Sequence, residues 1–139
     1  MRVLYICTHN RCRSIMAEAI TNQLANGAIE ARSAGSQPEG QVHPRALNAL
    51  QQAGYKTGNL RSKSWDELQD FQPELIVTLC DSAAGESCPL WFDDSQKLHR
   101  GLPDPSRVSG NEATIAAAFS ATIKELEELA VSLLEGRNR

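Results

Sequence analysis

Residues 2–24 read Arg2-Val3-Leu4-Tyr5-Ile6-Cys7-Thr8-His9-Asn10-Arg11-Cys12-Arg13-Ser14-Ile15-Met16-Ala17-Glu18-Ala19-Ile20-Thr21-Asn22-Gln23-Leu24, and their reading decides the fold. Arg2 to Ile6 is a short apolar run of the kind that forms a buried strand. A polar stretch, Cys7 to Arg13, separates it from Ser14–Leu24. There Ile15, Met16, Ala19, Ile20, Gln23 and Leu24 recur at helical spacing, with Gln23 the one polar exception. Gly27 suits the end of that helix.

The alternation continues along the chain. A second strand is expected over Ile29–Ser33, and Ala34–Gly40 is loop by its Gly, Ser and Pro content. Pro44 opens a helix with Ala46, Leu47, Leu50 and Ala53 on one face and Gly54 at its close. Ser64 reads as the cap of a short helix with Asp66 and Glu67 in its first turn. Glu74–Leu79 is the clearest buried strand and ends directly at Cys80. From Asp81 to Pro105 the chain is rich in Ser, Gly, Asp and Pro, with one short strand near Lys97–Arg100. An irregular stretch of about 25 residues exceeds an ordinary connection and marks function. Ser109-x-x-Glu112 matches a capping box, followed by Ile115, Phe119, Ile123, Leu126, Ala130 and Leu133 at helical steps, with Gly136 at the end. This order predicts one α/β domain over residues 1–139: doubly wound, three-layered, with a mainly parallel four-stranded sheet between helices.

The chain has 139 residues, 14 basic against 17 acidic, and a net charge of −3, the size of one globular domain. There is no basic run and aromatics are only 5%, so nucleic acid and membrane surfaces are excluded as partners. No apolar run reaches the ~20 residues of a bilayer span. The opening segment is too short for a signal peptide, so a cytoplasmic protein is expected. Four cysteines (Cys7, Cys12, Cys80 and Cys88) in a reducing compartment point to catalysis, redox cycling or metal binding rather than structural disulfides.

In parallel sheets ligands bind at the carboxyl ends of strands, where helix N-termini meet. The loop there, Cys7–Ser14, carries a cysteine and an arginine five residues apart. Backbone amides of Thr8, His9, Asn10, Arg11, Cys12 and Arg13, with the helix dipole behind them, form a cradle for a tetrahedral oxyanion. Cys7 at its base is the candidate nucleophile, its thiolate favoured by the helix N-terminus and guanidinium charge. Arg13 offers a planar fork to two anion oxygens. Ser14 is placed to donate its hydroxyl to the Cys7 sulfur. Asn10 is expected to lock the loop through side-chain bonds. A plain turn with a half-buried cysteine is the alternative for the isolated pattern, and a non-catalytic oxyanion sensor is another. A zinc site fits less well. The cysteine pairs are spaced more widely than in zinc knuckles, and Arg11 and Arg13 oppose a cation.

On the Cys7–Ser14 loop, Met16-Ala17-Glu18, Ser33-Ala34-Gly35, the Leu75–Cys80 strand and Asp104-Pro105, the chain resembles the low-molecular-weight tyrosine phosphatase superfamily, and within it the arsenate reductases. The resemblance implies that Asp104 is the general acid. Within the superfamily, phosphatases follow Asp-Pro with an aromatic residue, whereas Ser106 stands here. His9-Asn10 resembles many reductases, and Thr78-Leu79-Cys80-Asp81 with Cys88-Pro89 is similar to their redox segment. A low-molecular-weight phosphatase, hydrolysing phosphomonoesters through a phosphocysteine, is the alternative.

The reductase resemblance implies arsenate as substrate and a thiol relay. Cys7 forms the arsenate adduct, Cys80 attacks Cys7, and Cys88 attacks Cys80. It implies no bound cofactor and an external reductant. The seven residues between Cys80 and Cys88, one more than in the best-known thioredoxin-coupled members, leave that reductant open between thioredoxin and glutaredoxin with glutathione or another small thiol. Some members hold a potassium ion beside the loop through Asn, Glu and Ser. Asn10, Glu18 and Ser33 match, but the family's aspartate is replaced near Ser64, and no metal is assigned. Cys12 is a packed or protective thiol. A monomer is expected.

Overall fold

The computed structural model describes residues 1–80, 92 and 94–137. Four strands, β1 (Arg2–Ile6), β2 (Glu30–Ala34), β3 (Leu75–Thr78) and β4 (Gln96–His99), form one sheet in the order β2-β1-β3-β4. Every pairing is parallel, with Val3 opposite Ala31 on one side and Leu75 on the other. The sheet is thus wholly rather than mainly parallel. β1 is central, so its side chains are buried on both faces and its sequence reads as a continuous apolar run. Alternation sends Val3 and Tyr5 to one face and Leu4 and Ile6 to the other. β4 is the edge, and all four of its residues are exposed.

Helices α1 (Arg13–Ala25), α2 (Pro44–Gln52) and α3 (Glu112–Arg137) pack on the Val3/Tyr5 face. Ala46, Leu50, Phe119, Ile123, Leu126 and Leu129 join Met16, Ile20 and Val77 in the larger core there. Among the described residues, the opposite face is covered by a 3-10 turn, Trp65–Leu68, with Phe71 and Phe92 against Leu4, Ile6 and Ile76. Ser64 caps that turn by accepting from the Asp66 amide at 3.1 Å.

Three expectations are refined. α1 is buried all round from Ser14 to Thr21, because α3 and α2 enclose it, and Leu24, assigned to its apolar stripe, is exposed. Its left-handed cap is Asn26 (φ +46), ahead of Gly27. α3 is capped by Asn111, whose Oδ1 accepts from the Thr114 amide at 2.8 Å, not by Ser109. Gly110 stands between them at φ +131 and turns the chain, which starts the helix two residues beyond the capping box read from sequence. Among the described residues no helix is long and apolar enough to cross a membrane.

Candidate active site

The Cys7–Arg13 loop leaves the carboxyl end of β1 and enters α1, at the rim of a cleft of about 590 Å³. Asp104, Ser106 and Arg107 face the loop across this cleft, and Cys80 lies at its edge. The loop's shape has visible causes. The Asn10 backbone is left-handed (φ +44) and its amide donates to the Cys7 carbonyl at 3.2 Å. Its side chain is fully buried. Nδ2 donates to Ser14 Oγ at 2.8 Å, and Oδ1 accepts from the Lys63 amide at 2.8 Å. Asn10, expected both to lock the loop and to bind substrate, therefore turns its side chain away from the cleft. The amides of Arg11, Cys12 and Arg13 donate to no backbone carbonyl among the described residues, as at any helix start.

Arg13 crosses the cleft. Its Nη1 donates to the Leu102 carbonyl at 2.8 Å, and Nη2 lies 3.6 Å from Asp104 Oδ2. Its Nε is buried with no hydrogen-bond partner among the described residues. A buried guanidinium donor without an acceptor, beside a cleft lined by helix-start amides, suits an anion that arrives from solvent.

Asp104 caps the short turn Pro105–Arg107. Its Oδ1 accepts from the Ser106 amide (2.9 Å) and hydroxyl (2.6 Å), and Arg107 Nε lies 3.7 Å from Oδ2. Burial pushes its carboxyl upward, but the two Ser106 bonds and the charges of Arg13 and Arg107 outweigh this and hold it below the ordinary value. These contacts favour the carboxylate form of Asp104.

Cys7 is buried beside Cys80, in one apolar cluster with Phe92. The hydrogen bond between the two thiols and burial both push Cys7 up, while the Arg13 guanidinium pulls it down. The guanidinium charge thus acts on Cys7 in the expected direction, while burial and the neighbouring Cys80 act against it. Thr8 Oγ1 lies 3.7 Å from Cys80 Sγ. Ser14 Oγ accepts from Asn10 Nδ2 at 2.8 Å, which leaves its own hydroxyl proton to donate, as the expected role at the Cys7 sulfur requires. Cys12 faces the interior with Sγ 3.8 Å from Met16 Sδ, and burial pushes its thiol up to about 12. Cys7, Cys12 and Cys80 are all free thiols. His9 and Arg11 line the rim, His9 Nδ1 sitting 3.1 Å from the Gln37 carbonyl. Cys88, with the Ser82–Ser87 loop and Pro89, lies outside the described residues.

Three contributors were not found from sequence. Gly35 presses on the loop: a Cβ there would lie 2.4 Å from the Thr8 carbonyl oxygen and 2.6 Å from that of Cys7. Ser106 holds Asp104, and Lys63 anchors Asn10. Only Gly35 carried a signal, as a glycine directly after a strand.

Fold and cleft together define an α/β enzyme whose cleft is lined by a strand-to-helix loop carrying Cys7 and Arg13. The chain belongs to the low molecular weight phosphotyrosine protein phosphatase family, whose sequence pattern it matches over residues 2–139. It is 32% identical over 124 residues to an arsenate reductase of Bacillus subtilis, a match spanning 89% of this chain and 88% of that protein. A low molecular weight phosphotyrosine phosphatase from Vibrio cholerae superposes with a TM-score of 0.81 at 25% identity, covering 100% of this chain and 97% of that one. A thioredoxin-dependent arsenate reductase of Corynebacterium glutamicum superposes with a TM-score of 0.73 at 25% identity, covering 97% and 62%.

Proposed function

We propose that this chain reduces arsenate to arsenite. The observation that carries the reading is the free Cys80 thiol packed in one cluster with Cys7, both lining the same cleft. Phosphomonoester hydrolysis needs one thiol, whereas reduction needs a second within reach of the first. Relatives named arsenate reductase support the same substrate.

Arsenate enters the loop with its oxygens on the amides and on Arg13. The arriving oxyanion is itself a base and takes the Cys7 proton. Its negative charge beside Asp104 raises that carboxyl, which takes up a proton and serves as the acid. Cys7 sulfur attacks arsenic, and a hydroxyl protonated by Asp104 leaves as water. Cys80 thiolate then attacks the Cys7 sulfur. The sulfur–arsenic bonding pair returns to arsenic, arsenite leaves, and a Cys7–Cys80 disulfide remains. Cys88 attacks Cys80 and frees Cys7, and the resulting Cys80–Cys88 disulfide takes two electrons from an external thiol. Thioredoxin and glutaredoxin with glutathione are the candidate donors. No bound cofactor is involved, and slow aryl phosphate hydrolysis by Cys7, Arg13 and Asp104 accompanies the main activity.

Arsenate-dependent NADPH oxidation, with the thioredoxin and glutaredoxin systems compared side by side, tests the reaction and names the donor. Cys80→Ser is expected to stop arsenate turnover while leaving aryl phosphatase activity. Cys88→Ser is expected to release one arsenite per enzyme and trap a Cys7–Cys80 disulfide, identified by mass spectrometry of the alkylated digest. Full turnover by Cys80→Ser would remove the internal relay.

A further inference from the structure

Beneath the loop lies a buried ion pair that the chemistry of Cys7 does not use. Lys63 Nζ stands 3.5 Å from Glu18 Oε1, and the two residues are only 7% and 8% exposed. Ser33 Oγ donates to the same carboxylate oxygen at 2.7 Å, and Nζ also donates to the Arg61 carbonyl at 3.3 Å. The Lys63 backbone is tied into the loop's support: its amide donates to Asn10 Oδ1, and its carbonyl accepts from the Gly35 amide at 3.0 Å. One residue thereby links α1 through Glu18, the end of β2 through Ser33 and Gly35, and the loop itself through Asn10.

The potassium ion implied by the family resemblance does not fit these residues. The Lys63 ammonium already neutralises Glu18, and a second cation beside it would be repelled. We propose that Lys63 is a tethered monovalent cation, a positioning residue that holds the Cys7–Ser14 loop in its oxyanion-binding shape without dissolved potassium. A tethered ammonium has a high effective concentration at the carboxylate, so the loop keeps its shape at any potassium level. Burial draws the Lys63 amine down and Glu18 pushes it back up. An apolar pair would avoid that desolvation but could not present a charge to Glu18.

The proposal rests on the loop binding an oxyanion, whichever reaction follows, and its test is read on the loop. Amide hydrogen exchange over residues 8–14 and calorimetric binding of inorganic phosphate are measured in potassium chloride and in choline chloride at equal ionic strength. The native enzyme is expected to give the same values in both. In choline chloride, Lys63→Ala should exchange its loop amides at least tenfold faster and bind phosphate at least tenfold more weakly. Potassium should restore both, and Lys63→Arg should behave as native. The double variant Lys63→Ala/Glu18→Gln carries no buried lone charge. It should fold, show the loosened loop and ignore potassium. Three results overturn the proposal: a native enzyme that responds to potassium, a Lys63→Ala loop as protected as native in choline, or loosening that potassium leaves unaltered. A native enzyme that binds no phosphate would strike the functional reading instead, while hydrogen exchange would still decide the role of Lys63.

Discussion

In the proposed reaction Asp104 meets two opposed demands: it must carry a proton for the leaving hydroxyl, yet Ser106, Arg13 and Arg107 favour its carboxylate. A general acid works only below its own value in the loaded enzyme, so adduct formation falls as pH rises through that value. Ser106→Ala removes one of the bonds that stabilise the carboxylate, so the alkaline limb of single-turnover adduct formation should move to higher pH. An unmoved limb would take Ser106 out of that role. Stability responds to pH in the opposite sense. A carboxyl whose folded value is depressed adds stability above its unfolded value and loses it as pH falls through the folded one. Cys7 behaves in the opposite direction, since Cys80 raises it. Cys80→Ala should therefore shift the pH dependence of Cys7 alkylation to lower pH while abolishing arsenate turnover. Alkylation that is unchanged or shifted upward would mean that the thiol pair does not set Cys7 reactivity.

At the scale of elements, the loop is shaped as much by the end of β2 as by its own sequence. Gly35→Ala would push a methyl against the carbonyls of Thr8 and Cys7, and backbone cannot yield as a side chain does. The variant should lose oxyanion affinity and roughly 1–3 kcal/mol of stability in urea unfolding. Gly58→Ala meets nothing within 4 Å and should stay within about 0.5 kcal/mol of native. Retained affinity in Gly35→Ala would show that the loop is set from within. At the start of α3, Asn111→Ala should cost about 1 kcal/mol in the same unfolding assay. Ser109→Ala should be neutral, and the reverse ranking would restore the capping box. These contrasts mark what sequence could carry. Strands, α1, α2 and the placement of the Cys7–Arg13 loop between β1 and α1 were legible because local periodicity and a short motif encode them, whereas Asp104 was singled out only through the family resemblance. Lys63 was not legible, because it acts across a tertiary contact, 45 residues from Glu18; Ser106 acts locally, two residues from Asp104, and its sequence reading took in only that no aromatic stands there. The bond from Asn10 to Ser14 Oγ depends on where Asn10 turned, which no spacing reveals.

For the whole molecule, the proposed relay asks the fold to close a covalent bond without opening its core. Cys7 follows β1 directly and Cys80 follows β3 by two residues, and these strands are neighbours with Ile6 opposite Thr78. The Leu79 amide donates to the Ile6 carbonyl at 3.0 Å, so the two chains are still paired where they reach the cysteines. Adjacent strand ends lie within the span a disulfide needs, ~4.4–6.8 Å between Cα atoms. The bond would close a loop of roughly 70 residues, which in the chain-entropy account stabilises by up to about 4 kcal/mol relative to the open chain. Cys88→Ser enzyme stopped after one arsenite should therefore unfold at higher denaturant than its reduced form. Amide protection over residues 3–6 and 75–78 should be the same in both forms. A lower midpoint, or lost protection in β1 and β3, would mean that the disulfide distorts the sheet. The relay would then run through an opened state rather than through the packed arrangement of Cys7 and Cys80.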